Sequence, residues 1–129
     1  MIDDKKKIRV LIVDDSLFMR KLLRVKLEKA GVIVVDEAVD GYDAIEKYKR
    51  SLPDLVLMDI VMPRMNGIES LKHIKRYHPN AKVIMLTAMG QEKLKEEAKR
   101  LGVMYFITKP FKDEELIRAI SKVFEANLR

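Results

Sequence analysis

The sequence contains no cysteine and no tryptophan, and few glycines or prolines. The absence of cysteine excludes disulfide bonds, thiolate metal sites and thiol nucleophiles. The two histidines, His73 and His78, lack the spacing to further ligands that a zinc site requires. No apolar stretch approaches the ~20 residues that span a bilayer, and the charged residues 1–7 are not followed by the apolar region of a signal peptide. We therefore expect a cytoplasmic protein whose residues 1–7 are flexible.

The charge balance is positive but mixed. The 129 residues carry a formal net charge of +6, and charged residues make up 36% of the chain. Basic and acidic residues alternate along segments such as residues 93–100, which is typical of solvated helix faces with i,i+4 pairing. Charge therefore gives only weak support for nucleic-acid binding. Many charged residues, no cysteine and a single glutamine, Gln91, favour a thermophilic source.

Short apolar segments alternate with longer amphipathic ones along the chain. Residues 8–13 are apolar apart from Arg9, which predicts a strand buried on both faces. Residues 16–30 carry an apolar stripe with helical spacing that ends at Gly31, which we interpret as a helix C-cap. The same criteria predict four further strands and four further helices. The strands are 32–35, 54–58, 82–86 and 103–107, and the helices are 41–50, one from Asn66-Gly67 to His78-Pro79-Asn80, 91–101, and one capped by Asp113.

Five strand–helix units in succession predict one α/β domain, with a parallel sheet covered by helices on both faces. Open parallel sheets bind ligands beyond the carboxyl ends of their strands, where side chains from different loops converge. The predicted strands direct three acids, one hydroxyl and one amine to this edge. These residues are Asp14, Asp15, Asp59, Thr87 and Lys109.

The chemistry of this set favours phosphoryl transfer. Three clustered carboxylates repel one another unless a cation neutralises them, and an all-oxygen site with open water positions suits Mg²⁺ better than Ca²⁺. Residues 13–18 lack the glycines of dinucleotide sites and P-loops, which argues against nucleotide binding. An aspartate beside Mg²⁺ can instead attack a phosphoryl group. Lys109 would stabilise the charge on the transferred oxygens, and the Thr87 hydroxyl would donate to one of them.

Four segments at these strand ends resemble the signatures of bacterial and archaeal response-regulator receiver domains. They are Val10–Ser16, Leu57–Gly67, Leu86–Ala88 and Thr108–Phe111. The resemblance covers about residues 8–124, and the combination of motifs in this order is specific. It implies a doubly wound, flavodoxin-like fold with strand order 2-1-3-4-5 and a single receiver domain over residues 1–129.

The resemblance also implies a role for each residue of the set. Asp59 would be the phosphoacceptor. Asp15, Asp59 and the backbone carbonyl of Val61 would ligate Mg²⁺, and Asp14 would act mainly through a metal-bound water. Lys109 would complete the catalytic set and precede a cis bond to Pro110.

A switch and its partners are implied in the same way. Thr87 and Phe106 would form the switch pair, and the face made by the fourth helix, fifth strand and fifth helix would bind a target. The phosphodonor would be a histidine kinase of the chemotaxis type, and the target a flagellar or archaellar motor adaptor or another protein. A phosphatase is a further candidate partner, whereas DNA binding and membrane insertion are not expected.

Two positions depart from the commonest chemotaxis pattern. Val61 and Met89, two residues beyond Asp59 and Thr87, are apolar where the best-known chemotaxis regulators carry Asn and Glu. Side chains at these positions flank the path of the water that attacks the phosphorylated aspartate. These two substitutions therefore bear on the lifetime of the phosphorylated state and not on phosphorylation itself.

The resemblance is strongest to the stand-alone chemotaxis type, through Leu17–Arg20 and residues 88–91. Such a protein is not an enzyme in the usual sense, because it catalyses only its own phosphorylation and dephosphorylation. Three alternatives stay open: a phosphorelay intermediate or the receiver of a longer regulator, a Mg²⁺-dependent phosphatase, and a nucleic-acid-binding module. The phosphatase alternative lacks a second aspartate two residues after the nucleophile, where Val61 stands.

Overall fold

The computed structural model describes residues 7–125, which form a parallel five-stranded sheet and five helices. The strands are β1 (Arg9–Val13), β2 (Ile33–Ala38), β3 (Leu55–Asp59), β4 (Val83–Thr87) and β5 (Tyr105–Thr108). The helices are α1 (Leu17–Lys29), α2 (Gly41–Ser51), α3 (Gly67–Tyr77), α4 (Glu92–Arg100) and α5 (Asp113–Val123). The flexibility expected of residues 1–7 lies outside the described residues, apart from Lys7. Within residues 7–125 no helix is both long and apolar enough to cross a membrane.

The strand order is β2-β1-β3-β4-β5, which confirms the predicted doubly wound fold. The chain runs from β1 to β2 on one side and then to β3 on the other side, so β1 lies between β2 and β3. Val13 at the end of β1 pairs with Met58 in β3. Asp14 and Asp59 therefore leave the sheet at matching positions on adjacent strands, at the edge where ligands of such folds bind.

The sheet separates two hydrophobic layers. Residues that alternate along each strand point to opposite faces, so Leu11 and Val13 join the layer beneath α2, α3 and α4. Val10 and Ile12 join the second layer, beneath α1 and α5. All four side chains are fully buried, as expected for a parallel strand that is covered on both faces.

Most predicted boundaries differ from the structure by one or two residues, and two of the differences have a clear physical cause. β2 was expected to end at residue 35, but it continues to Ala38. The charged side chains of Asp36 and Glu37 are compatible with this edge strand because Asp36 is paired with one arginine of α2 and Glu37 with two arginines of α1. The predicted N-cap of the last helix, Asp113, is instead its first residue, and Lys112 precedes it as the cap.

A close approach fixes the start of α3 next to β3. Gly67, the first residue of α3, donates its N–H to the carbonyl oxygen of Ile60 at 2.7 Å. A Cβ atom at position 67 would lie 2.4 Å from the carbonyl oxygen of Asp59, so no larger residue fits without a shift of the backbone. Asn66 caps the helix by accepting from the N–H of Glu69. The backbone that follows Asp59 is thus held by the first turn of α3.

Candidate functional site

Three carboxylates meet at the carboxyl edge of the sheet. Asp14, Asp15 and Asp59 each contribute one carboxylate oxygen to a group whose members lie within 4.8 Å of one another. Asp14 is buried, with 1% of its surface exposed, whereas Asp59 is partly buried and Asp15 is exposed. The structure therefore brings together the three acids that the sequence directs to this edge.

Lys109 joins this acidic group from the loop after β5. Its Nζ atom lies 3.2 Å from Oδ2 of Asp14 and 3.2 Å from Oδ2 of Asp59. Its backbone N–H donates to the carbonyl oxygen of Thr87 at 2.7 Å, and its bond to Pro110 is cis, as the resemblance implies. The loop that carries the ammonium group is thereby tied to the end of β4.

The charges in the site are unbalanced. Burial raises the pKa of Asp59, an effect that Lys109 partly offsets and that the charge of Asp14 reinforces. Burial also opposes the charge of Lys109, but the carboxylates of Asp59 and Asp14 together raise the pKa of this lysine. Three acids and one ammonium group leave net negative charge in a partly buried space. The site would therefore gain from a bound cation.

The donor set fits a hard divalent cation. Both carboxylate oxygens of Asp14 already accept hydrogen bonds, one from the N–H of Ser16 at 2.9 Å and the other from Lys109. Among residues 7–125, in contrast, the carboxylate of Asp15 has no hydrogen-bond or ion-pair partner. The carboxylate of Asp15 thus remains open, and oxygen-only sites of this kind prefer Mg²⁺ or Ca²⁺ to softer metals.

Val61 lies in the loop between β3 and α3, two residues beyond Asp59. Its backbone N–H bonds to the carboxylate of Asp59 and lowers the pKa of that group, against the larger effect of burial. Its side chain is half exposed. The loop is held from outside by an ion pair between Arg64 and the buried Asp40, whose closest atoms are 2.6 Å apart.

The two expected switch residues lie on adjacent strands. Thr87 ends β4 and is buried, and its Oγ1 atom lies 3.5 Å from Oγ1 of Thr108 at the end of β5. Phe106 is partly buried against the layer that includes α4, and Nζ of Lys95 lies 5.3 Å from the centre of its ring. The structure places Thr87 at the same edge as the acids, with Thr108 as its side-chain partner.

Two residues that contact the site were not assigned to it from the sequence. Thr108 pairs with Thr87 in the β4–β5 register, and a correct strand alignment would have indicated it. Arg20 donates from Nη1 to the backbone carbonyl of Asp14 at 2.8 Å and from Nε to Glu37 at 3.0 Å. The resemblance includes Arg20 within Leu17–Arg20, but the sequence does not indicate these contacts, because Glu37 lies 17 residues away in β2.

Exposed apolar side chains border the acidic group. Phe18 is 75% exposed and Met89 is 86% exposed, and Leu17 and Val61 are also exposed. Leu17 and Phe18 open the helix after Asp15, whereas Val61 and Met89 lie in the loops after β3 and β4. Several apolar side chains at one edge of a small domain are typical of a surface that binds another protein.

Comparison with known proteins agrees with the fold and the motifs. Residues 10–121 match the response regulator receiver domain. The chemotaxis protein CheY of Thermotoga maritima is 50% identical over 115 residues, which cover 89% of this chain and 96% of that protein. CheY of Bacillus subtilis is 48% identical over 88% of this chain and 95% of its own length.

Solved structures give the same result. A chain in the crystal structure of the CheX–CheY complex with BeF3 and Mg²⁺ from Borrelia burgdorferi superposes with a TM-score of 0.86 and 39% identity. The superposition covers 91% of this chain and 89% of that chain. The chain described here therefore belongs to the response regulator receiver family, the signalling switches of two-component systems, and is similar to its CheY chemotaxis members.

Proposed function

We propose that this protein is a phosphoacceptor switch of the chemotaxis type, which takes a phosphoryl group from a histidine kinase onto Asp59 in the cytoplasm. The contact of Lys109 with both Asp14 and Asp59, at the point where three acids meet, carries the proposal. This arrangement combines a nucleophile, a cation that balances developing charge and an oxygen-rich metal site.

Mg²⁺ would supply charge neutralisation for the acids and for the oxygens of the incoming phosphoryl group. Asp15 would bind it directly because its carboxylate is open, and the resemblance adds Asp59 and the backbone carbonyl of Val61. Asp14 would contribute through a water, which agrees with the hydrogen bonds that already occupy both of its oxygens.

The transfer step itself would use three side chains. The carboxylate of Asp59 attacks the phosphorus atom, and the bond from phosphorus to the donor nitrogen or oxygen breaks. Lys109, already paired with Asp59, would stabilise the negative charge on the phosphoryl oxygens. Thr87 would exchange its long hydrogen bond with Thr108 for one to a phosphoryl oxygen.

A protein donor and a protein target suit the surfaces around the site. The exposed Phe18 and Met89 offer apolar contacts to a kinase domain or to a phosphatase at the acidic edge. The Borrelia relative occurs in a complex with CheX, which supports a protein partner for this chain too. A small-molecule phosphodonor would not need these apolar contacts, because it would reach the acids directly.

The output surface would be the face of α4, β5 and α5. α4 is held to the sheet by the buried Ala98 and the partly buried Leu94 and Leu101, which is a narrow apolar stripe. The rest of α4 carries both signs, with four cations beside Glu92, Glu96 and Glu97, and α5 and the loop before it add further cations beside the acids of its first turn. These cations are Lys93, Lys95, Lys99, Arg100, Lys112, Arg118 and Lys122. An acidic segment of a motor adaptor or another target would pair with these cations.

The direct test is phosphorylation of the wild-type protein and of Asp59→Asn with acetyl phosphate and with a phosphohistidine donor. We expect acid-labile phosphate on the wild type, dependent on Mg²⁺, and none on the variant. Asp54→Asn is the matched control, because Asp54 is an exposed acid just before β3, at the far end of the same strand. Wild-type phosphate incorporation by Asp59→Asn would refute the proposal, and rapid turnover of a generic phosphoester would favour a phosphatase.

A further inference from the structure

Arg20 connects α1 to the backbone that carries the acids. Its side chain is only 12% exposed, although it bears a full positive charge. Nη1 donates to the carbonyl oxygen of Asp14 at 2.8 Å, and Nε donates to Oε1 of Glu37 at 3.0 Å. A buried guanidinium is costly unless its donors are paired, so both partners matter to its position.

Glu37 holds Arg20 in place. Burial alone would raise the pKa of Glu37, but hydrogen bonds from Arg24 and Arg20 together lower it, so the carboxylate is charged near neutral pH. Its second oxygen accepts from Nε of Arg24 at 2.7 Å. Its backbone is part of β2 and is paired with Ile12 of β1. Arg20 is therefore anchored to the sheet itself.

The peptide group that joins Asp14 to Asp15 is thereby oriented. Its carbonyl, that of Asp14, accepts from Arg20, and the preceding peptide group is held by the N–H of Asp14, which donates to the carbonyl oxygen of Ala38 at 3.1 Å. The next contact along the chain is the N–H of Ser16, which donates to the Asp14 side chain. The carboxylate of Asp15 has no partner of its own among residues 7–125, so its direction depends on this backbone.

We propose that Arg20 is a positioning residue for the divalent-cation site and acts through the Asp14 carbonyl to aim the carboxylate of Asp15. Glu37 supports this role because its carboxylate holds the guanidinium of Arg20 in place. The inference rests on the proposed function, in which Asp15 is a direct ligand of Mg²⁺. Residues that orient metal ligands in this way typically change metal affinity by 10–100-fold when they are replaced.

The direction in which the affinity for Mg²⁺ changes distinguishes a positioning role of Arg20 from a purely electrostatic one. Replacing Arg20 with methionine removes a positive charge near the acids, and charge alone would then strengthen the binding of Mg²⁺. Loss of positioning has the opposite result and weakens binding. Arg20→Lys keeps the charge but lacks the planar fork that reaches Glu37 and the Asp14 carbonyl together, so it should weaken binding as well.

Arg24 provides a matched control. It lies on the same helix, one turn further on, and pairs with the same Glu37, but its other contact is Glu28 and not Asp14. Arg24→Met removes the same charge and the same kind of ion pair as Arg20→Met. It leaves the hydrogen bond from Arg20 to the Asp14 carbonyl intact, so a positioning role of Arg20 predicts no weakening of metal binding by Arg24→Met.

The experiment is a titration with Mg²⁺ alone, followed through backbone amide signals, on the wild type, Arg20→Met, Arg20→Lys and Arg24→Met. We expect Kd to rise about 10-fold in both Arg20 variants and not to rise in Arg24→Met. The amide signal of Asp15 should also shift in the metal-free Arg20 variants, while signals from the sheet interior stay in place. Thermal unfolding without metal identifies any variant that fails to fold, and Arg20→Lys then decides the matter if Arg20→Met is unfolded.

Two outcomes would overturn the inference: unchanged or tighter binding in the folded Arg20 variants, or an equal loss in Arg24→Met. Failure of the wild type to bind Mg²⁺ at this site is a different result, because it would refute the metal site of the proposed function itself.

Discussion

The Nζ atom of Lys109 lies 3.2 Å from Oδ2 of Asp59, although the two residues are 50 positions apart in the sequence. They meet because β3 and β5 flank β4 in a parallel sheet, so that the loops after all three strands reach the same edge. The ammonium group does not fully compensate for the burial of Asp59, whose pKa stays above its ordinary value. This residual imbalance has consequences for stability.

Asp59→Asn should stabilise the metal-free protein near neutral pH. A carboxyl whose pKa is raised on folding binds protons more tightly in the folded state, so its ionised form costs stability. This cost appears as the pH rises from the ordinary carboxyl range through the raised folded value, and it is absent below both. We expect the Tm of the variant to exceed that of the wild type by a few degrees at pH 7, and the gap to close toward about pH 3. Equal or lower stability of Asp59→Asn at pH 7 would contradict the imbalance, and the exposed Asp54→Asn is the control.

Asp15→Ala should remove most of the stabilisation that Mg²⁺ gives. Binding to the folded state alone raises its stability by RT ln(1 + [L]/Kd), which is about 1.4 kcal/mol when Mg²⁺ is tenfold above Kd. The Tm of the wild type should therefore rise with Mg²⁺, whereas that of Asp15→Ala should change little. Asp54→Ala, at the opposite end of β3, should respond as the wild type does. A response in Asp15→Ala equal to that of the wild type would move the metal away from Asp15.

Asn at position 61 together with Glu at position 89 should shorten the lifetime of the phosphorylated protein. The native Val61 and Met89 are exposed and apolar, and such side chains cannot orient an attacking water. We expect dephosphorylation to accelerate by roughly 10-fold, within the range of a positioned polar group. Loss of radiolabelled phosphate after removal of the donor measures the rate. The control is Met104→Gln, an exposed apolar position just before β5, at the opposite edge of the sheet.

A lifetime that is unchanged or longer in the Val61→Asn, Met89→Glu double variant would contradict this account. The two single variants separate the contributions of the β3 and β4 loops.

A phosphoryl mimic should change the surroundings of residues 88–112 and not only those of Asp59. Movement of the Thr87 hydroxyl toward the mimic would free space next to β5, and Phe106 would leave its contact with Lys95. Amide chemical shifts with and without beryllofluoride and Mg²⁺ measure the change. Shifts confined to residues near Asp59 would refute the switch, and Asp59→Asn with the same reagents controls for binding elsewhere.

The order of elements and the acidic edge could be predicted from the sequence because both depend on local patterns. An apolar segment such as residues 8–13 indicates a doubly covered strand by itself, and the residue that follows a parallel strand must lie at the binding edge. The pairing of Val13 with Met58 is a property of the assembled sheet, but it follows once the strand order is known.

Two of the remaining differences arise from contacts between residues that are distant in the sequence. Asp36 and Glu37 resemble the end of a strand until their arginine partners on α1 and α2 are known. Arg20 resembles one more solvated cation of a basic helix, and only the fold shows that it is nearly buried against Asp14. At the last helix, the N–H of Lys112 donates to the side chain of Glu115, which moves the cap one residue ahead of Asp113.

The division of the core by the sheet has a consequence for how such a domain can evolve. Neighbouring residues of β5 belong to different layers: Phe106 packs on the side of α4, and Tyr105 on the side of α1 and α5. Strain passes readily within one close-packed layer, whereas the two layers share only the hydrogen-bonded backbone of the strands. Selection can therefore remodel α4 on one side of the sheet, while the turn that carries Asp14 and Asp15 stays anchored to α1 on the other.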